Sequence, residues 1–154
     1  MNIPLLAGSI FTIFGIYLLG RALSDYKKAV ASLDWPGVKG QLTDLRLWGK
    51  RNIDGEMQDT EKLIVGYEYE FKGNQYRGAS AAFYTLVYPE TVEFARSHSV
   101  NSSVMVYCNP KAPGESVLVP GPRKDKPYSD CILGVLGLVA GVVIAALGFL
   151  GVIG

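Results

Sequence analysis

From Cys131 to Ile153 the chain reads CILGVLGLVAGVVIAALGFLGVI, 23 residues without a charge. As a helix rising 1.5 Å per residue, this run extends about 34 Å, against a hydrocarbon core of roughly 30 Å. Soluble cores seldom contain such a stretch, so the run predicts a transmembrane helix. The opposite end repeats the pattern. Ile3 to Leu23 reads IPLLAGSIFTIFGIYLLGRAL, with Arg21 its only charge, near enough to the end to snorkel to headgroups. A cleaved signal peptide is the rival reading. The segment has no basic residue before its apolar run and no small-x-small cleavage site after it, which favours a retained anchor.

Charge placement supports this division. All Lys, Arg, Asp and Glu residues fall between Arg21 and Asp130, although the whole chain has 19% charged residues and a net charge of +1. The middle is therefore an ordinary polar domain, nearly neutral, with no basic footprint for nucleic acid. Both apolar ends are rich in small residues. Gly137 and Gly141 form a GxxxG with Ala145 one turn on, while Gly8, Thr12 and Gly15 share one side of the first helix. Small residues let helix backbones approach closely in lipid, so these six are the candidate helix–helix contact, within the chain or between chains. Arg21, Lys27 and Lys28 follow the first run, and Arg123, Lys124 and Lys126 precede the second. The positive-inside rule then places the domain in the cytoplasm and both termini outside, at the inner or plasma membrane. Two cysteines, Cys108 and Cys131, make no disulfide framework and suit that compartment.

Between the anchors, Tyr26, Ala29, Val30 and Leu33 continue a helical stripe that Trp35-Pro36 ends, because a residue before proline leaves the helical region. Val38 to Trp48 reads as a strand and Gly49 to Thr60 as a polar loop. The acidic residues of that loop lack calcium-loop spacing. Leu63, Val65, Tyr67, Tyr69 and Phe71 line one face of the next strand, with Glu68 and Glu70 opposite. Gly73-Asn74 reads as the hairpin turn, which sets Phe71 opposite Tyr76 and Tyr69 opposite Gly78. Residues 89–98 predict a short helix opened by Pro89, and 104–108 and 116–119 the last strands.

Candidate chemistry is sparse. His98 is the single histidine, and nothing in the spacing brings it to Cys108 as a nucleophile pair. Metal sites need more His or Cys ligands than the chain has, and its glycines form no phosphate loop. No catalytic residue, cofactor or metal ligand is therefore assigned. Tyr84, Leu86, Val87 and Tyr88, in a segment whose pattern predicts a loop, form a candidate apolar interaction patch.

Several motifs run in order: Trp35-Pro36-x-x-x-Gly40, Tyr67-x-Tyr69-x-x-x-Gly73-x-x-Tyr76-x-Gly78, Tyr88-Pro89, Val104-x-Val106-Tyr107-x-x-Pro110-x-x-Pro113 and Val117-Leu118-x-Pro120-Gly121. Together they resemble the bacterial domain-of-unknown-function 3592 family, over roughly residues 10–150. The family usually shows Tyr-Asp-Pro where this chain has Cys108-Asn109-Pro110. The resemblance implies a small β domain between membrane helices and implies no reaction.

The expected architecture is a membrane protein of the α+β class. A first helix with an amphipathic extension occupies 1–34 and a mainly antiparallel β domain with one short helix 35–122. A basic linker, 123–130, leads to the second helix, 131–154. The expected role is a membrane-tethered binding or scaffold module, an accessory subunit of a larger assembly being one form of it. Its expected partners are the bilayer and a membrane protein or a further copy of itself, without nucleic acid. The alternative is an enzyme acting on a lipid or membrane-associated substrate near Tyr84–Tyr88 and His98.

Overall fold

The computed structural model describes residues 3–124 and 129–152. Residues 125–128 of the expected linker, Lys126 among them, and the last apolar residue, Ile153, lie outside the described residues. The elements are α1 (Ile3–Ala31), β1 (Gly37–Ile53), β2 (Glu56–Phe71), β3 (Asn74–Gly78), α2 (Glu90–Ser97), β4 (Ser103–Asn109), β5 (Ala112–Val117) and α3 (Ser129–Phe149). They form two compact units, Met1–Lys27 with Arg123–Gly154, and Lys28–Pro122.

In the first unit, α1 and α3 are both long and apolar enough to cross a membrane. They pack antiparallel through small residues. A methyl group added to Gly8 would overlap the backbone of Ala145, and one added to Gly15 or Gly141 would come within 2.5 Å of the backbone nitrogen of Leu138 or Thr12 respectively. Backbones this close leave no room for side chains between them, which is why glycine occupies the seam. The Thr12 hydroxyl is satisfied inside its own helix, donating to the Gly8 carbonyl at 2.8 Å. Away from the seam, Ile13, Ile16, Leu136 and Val139 are each more than half exposed. Only 11% of the apolar window of α1 and 17% of that of α3 is buried within the protein.

The second unit is a five-stranded antiparallel sheet in the order β3-β2-β1-β4-β5. Its alternating residues Leu42, Val65, Tyr67, Tyr69, Val104, Val106 and Cys108, with Leu118, make the core. The sheet curls until its two edges meet. Beyond β3, the carbonyl of Ala81 accepts the N–H groups of Leu118 (3.1 Å) and Val119 (2.8 Å), just beyond β5. Tyr67 completes the closure from inside. Its hydroxyl lies 3.0 Å from the Ser80 carbonyl, 2.9 Å from the Ser116 carbonyl and 3.1 Å from Ser116 Oγ. Gly78 sits directly under the Tyr67 ring, where any side chain would overlap it. Neighbouring Tyr69 donates its hydroxyl to the Pro113 carbonyl.

The ends of this unit are fastened together. α1 passes into a 3₁₀ turn, Ser32–Asp34, and Trp35 turns extended before Pro36, as the sequence predicts. The buried Ser32 hydroxyl donates to the Ala29 carbonyl (2.6 Å) and accepts the Gly121 N–H (2.8 Å). Lys28 Nζ meets Glu115 Oε1 at 2.7 Å, and Asn109 Nδ2 meets Glu115 Oε2 at 3.0 Å. The Lys28 ammonium, foremost, holds the Glu115 carboxyl below its ordinary range. Trp35 is buried, edge-on to Phe83 at 5.6 Å.

Four expectations require correction. The last strand starts at Ala112, directly after the Pro110-Lys111 turn that pairs Asn109 with Ala112, and ends at Val117 rather than spanning 116–119. The residues of the extension that become buried are Ala29 and Ser32, whereas Val30 and Leu33 are exposed. The close Ser32–Gly121 approach selects small residues over the apolar stripe. The second hairpin turns at Lys72-Gly73, both with positive φ (50° and 80°), so Tyr69 faces Tyr76 and Tyr67 faces Gly78. That is a slip of two residues, which leaves every side chain on its expected face. Finally, residues 49–60 are not a loop: β1 runs on to Ile53, turns at Asp54-Gly55 and returns along β2.

Candidate interaction face

That last correction creates the most distinctive surface of the β unit. β3 pairs with β2 only from Tyr67 onward, and β4 pairs with β1 only up to Gln41. Residues 44–53 and 56–66 therefore form a two-stranded ribbon beyond the rest of the sheet. Asp54 and Gly55 have φ of 52° and 91°, the doubly left-handed geometry of a type I′ turn, whose twist matches that of paired strands. Asn52 braces the turn, its Oδ1 accepting the Gly55 N–H at 3.0 Å.

The register separates the two faces of the ribbon. The inner face carries Leu45 opposite Val65 and Leu47 opposite Leu63, continuous with the core. α2 and the preceding loop brace it. The buried Thr91 hydroxyl of α2 donates to the Thr60 carbonyl at 2.6 Å. The Arg51 guanidinium lies 5.1 Å from the Tyr88 ring centroid and 3.7 Å from Glu61.

The outer face has no such cover among the described residues. Its successive rungs, from the turn, are Asn52 with Met57, Lys50 with Asp59, Trp48 with Lys62, Arg46 with Ile64 and Asp44 with Gly66. Register irregularities between Leu42/Asp44 and Trp48/Lys50 keep these residues on one side. Trp48 and Met57 are each 60% exposed and Ile64 39%. Lys62 Nζ stands 5.3 Å over the Trp48 ring. Arg46 grips Asp44 with both Nε and Nη2, at 2.9 and 2.6 Å. This bond holds the Asp44 carboxyl below and the Arg46 guanidinium above their ordinary pKa values. A surface of large apolar side chains interleaved with charges can bind another surface; isolated exposed apolar residues are ordinary, and a clustered set is the informative case.

The residues singled out from the sequence fall as follows. Tyr84, Leu86, Val87 and Tyr88 are all half-buried; Val87 N–H bonds Glu90 Oε2 at 3.2 Å, and the Tyr88 ring takes Arg51. That segment supports the ribbon from within. Gly8 with Ala145, Thr12 with Gly141 and Gly15 with Gly137 come together in the helix seam. His98 stacks on Phe94 at 4.2 Å and its Nδ1 lies 2.9 Å from Ser97 Oγ. Cys108 is fully buried, its sulfur beside the Pro36 carbonyl at 3.9 Å, and burial pushes the thiol pKa up. That shift disfavours the nucleophilic thiolate. Among the described residues no three His, Cys, Asp or Glu side chains gather as a metal site. The outer ribbon face was missed by sequence reasoning. Its available signal was Asp54-Gly55, a strong hairpin dipeptide, between Leu-Trp and Leu-Ile segments.

No curated protein and no solved structure is detectably similar to this chain. Residues 38–123 match the family described as domain of unknown function 3592, a span taking in the whole sheet and its closure except the first residue of β1. The motifs that carry the resemblance also have structural roles here: Tyr67 over Gly78, Gly73 in its turn and Gly121 under the Ser32 hydroxyl. On this match the chain belongs to the domain-of-unknown-function 3592 family.

Proposed function

We propose that this protein is a membrane-tethered binding module that presents its β ribbon to a partner. The observation that carries the reading is the open outer face with Trp48, Met57 and Ile64 exposed among Arg46, Lys50 and Lys62. Tethering rests on α1 and α3, which bury little of their apolar length inside the protein and turn Ile13, Ile16, Leu136 and Val139 outward. A soluble core helix hides such residues, whereas lipid accommodates them. The basic residues Arg21, Lys27, Lys28, Arg123, Lys124 and Lys126 favour a cytoplasmic domain. The binding role is non-catalytic.

Affinity capture of the full chain from mild detergent, with an untagged copy co-expressed, tests the reading. A stoichiometric partner, either another protein or the untagged copy, is expected, and Trp48→Ser should reduce its recovery. A strictly monomeric chain with nothing bound overturns the proposal. Sidedness is read with an impermeant thiol reagent on Glu56→Cys at the ribbon tip, since Cys108 is buried and a poor reporter. The introduced thiol should react only after cell lysis; labelling of intact cells reverses the orientation.

A further inference from the structure

We propose that the partner of the ribbon's outer face is a second copy of the same face, related by a two-fold axis between the Lys50–Asp59 and Trp48–Lys62 rungs. This inference rests on the binding-module reading and names its partner. The basis is the order of side chains along the ribbon. Lay two outer faces together with the ribbons antiparallel. Each β1 then overlies the other β1, and each rung on one side of the axis meets its mirror rung on the other. Four pairings follow from the register alone. Met57 meets Ile64 of the other copy. Asp59 meets Lys62. Lys50 comes over the Trp48 ring. Asn52 reaches Arg46. Each pairing occurs twice, as an isologous contact requires.

All four are favourable by type: apolar on apolar, carboxylate on ammonium, cation on indole, and amide on guanidinium. The charge order is what makes the face complementary to itself. From the turn inward, the outer face of β2 runs Met57, Asp59, Lys62, Ile64, an apolar–acidic–basic–apolar series. Reversed, that series matches its own complement. A parallel overlay, whose axis runs along the strands, lays β1 on the other copy's β2 and sets Met57 on Asn52 and Ile64 on Arg46, so that neither apolar residue meets another. The existing Lys62–Trp48 contact shows that this indole accepts a cation over its ring.

The footprint is small. Two strands by five outward rungs fall short of the roughly 800 Å² per partner of a standard interface. Anchoring in one bilayer compensates, because confinement raises the effective concentration of the facing ribbons. The association therefore belongs to the full chain in its membrane.

Site-directed cross-linking in membranes tests the geometry. The variant Met57→Cys with Ile64→Cys, in a Cys131→Ser background, is treated with a bis-maleimide about 10 Å long, the spacing of stacked sheets, and run under denaturing conditions. Within one chain the two positions lie about 20 Å apart along β2, out of that linker's reach. A cross-linked dimer is expected. Adding Lys62→Glu or Asp59→Lys should each lower the cross-linked fraction by roughly tenfold. The double exchange, carrying both, should restore it, as should co-expression of the two single variants. Retained protease resistance of the β unit separates loss of association from loss of fold. Absence of a cross-link in the folded parent variant overturns the inference, as does a dimer indifferent to both charge reversals. If another protein is captured through Trp48 while no cross-link forms, the face belongs to that protein. The self-pairing then fails and the binding-module reading stands.

Discussion

Tyr67→Phe should loosen the closure of the sheet without disturbing its core. The ring keeps its place over Gly78, so no cavity forms. What disappears is the hydroxyl, which lies within 3.1 Å of three oxygens, the Ser80 carbonyl and the carbonyl and Oγ of Ser116. One hydroxyl carries one proton, so it donates to one carbonyl at a time and accepts from Ser116 Oγ. Removing it deprives a buried acceptor of its donor, at a cost of about 1–3 kcal/mol. Set against a typical domain stability of roughly 5–15 kcal/mol, that is readily measured. A second signature comes from pH. Burial, above all, raises the Tyr67 pKa from 10.0 to about 12. A phenol whose folded pKa lies above its unfolded value stabilises the fold fully below pH 10. That contribution is lost as pH rises toward 12, by about 2–3 kcal/mol at 1.36 kcal/mol per unit. Tyr67→Phe should abolish that part of the alkaline slope. The assay is proteolysis of the full chain in mild detergent across a urea series, at neutral pH and between pH 10 and 12. Tyr76→Phe, at the half-buried rim, is the comparison. If Tyr67→Phe matches the parent at neutral pH and retains the alkaline loss, the hydroxyl does not close the sheet and the reasoning fails.

Ser32→Ala removes the acceptor of the Gly121 N–H and should lower β-unit stability by about 1–3 kcal/mol in the same assay; an unchanged midpoint would show that water replaces the serine. Acidification should weaken the Lys28–Glu115 tie: the Glu115 carboxyl is depressed from 4.5, so its contribution is present above that pH and lost below it. Glu115→Gln should remove that acid-side loss, measured by the pH dependence of the urea midpoint. Gly141→Val places side-chain atoms against the Thr12 backbone and should separate the helices; an unchanged rate of proteolysis within the helical unit in mild detergent would refute the seam. Phe71→Ala should cost less than the roughly 3–5 kcal/mol of a fully buried aromatic, because Phe71 is half-buried, while Glu70→Ala should be silent; equal proteolysis of the two variants would refute the assignment of faces.

The helices were legible because a chargeless run of this length has few alternatives, and their seam because glycine and threonine recur at helical spacing. The inner face of β2 was legible for a similar reason: Val65, Tyr67 and Tyr69 are buried against a core, and burial imprints a period of two. Register was harder. Gly73 and Asn74 both tolerate left-handed geometry, so composition favoured the wrong pair, and Lys72 took the first turn position instead. The ribbon was least visible. Residues such as Arg51, Asn52, Gln58 and Asp59 are exposed whichever way they point, so the strand carries no alternation to read. Closure by Tyr67 was beyond reach, since its hydroxyl joins residues 13 and 49 positions away.

The tie between Ser32 and Gly121 has a mechanical consequence. The β unit's polypeptide enters and leaves past the same hydrogen bond, with Lys28–Glu115 close by on the entering side. A force drawing the two ends of the unit apart loads this fastening first, before any strand is peeled from its neighbour. The sheet's ladders are thus shielded from tension, much as a buckle spares the strap. Short of rupture at Ser32, the unit can be tugged or jostled at its ends while the ribbon keeps its shape.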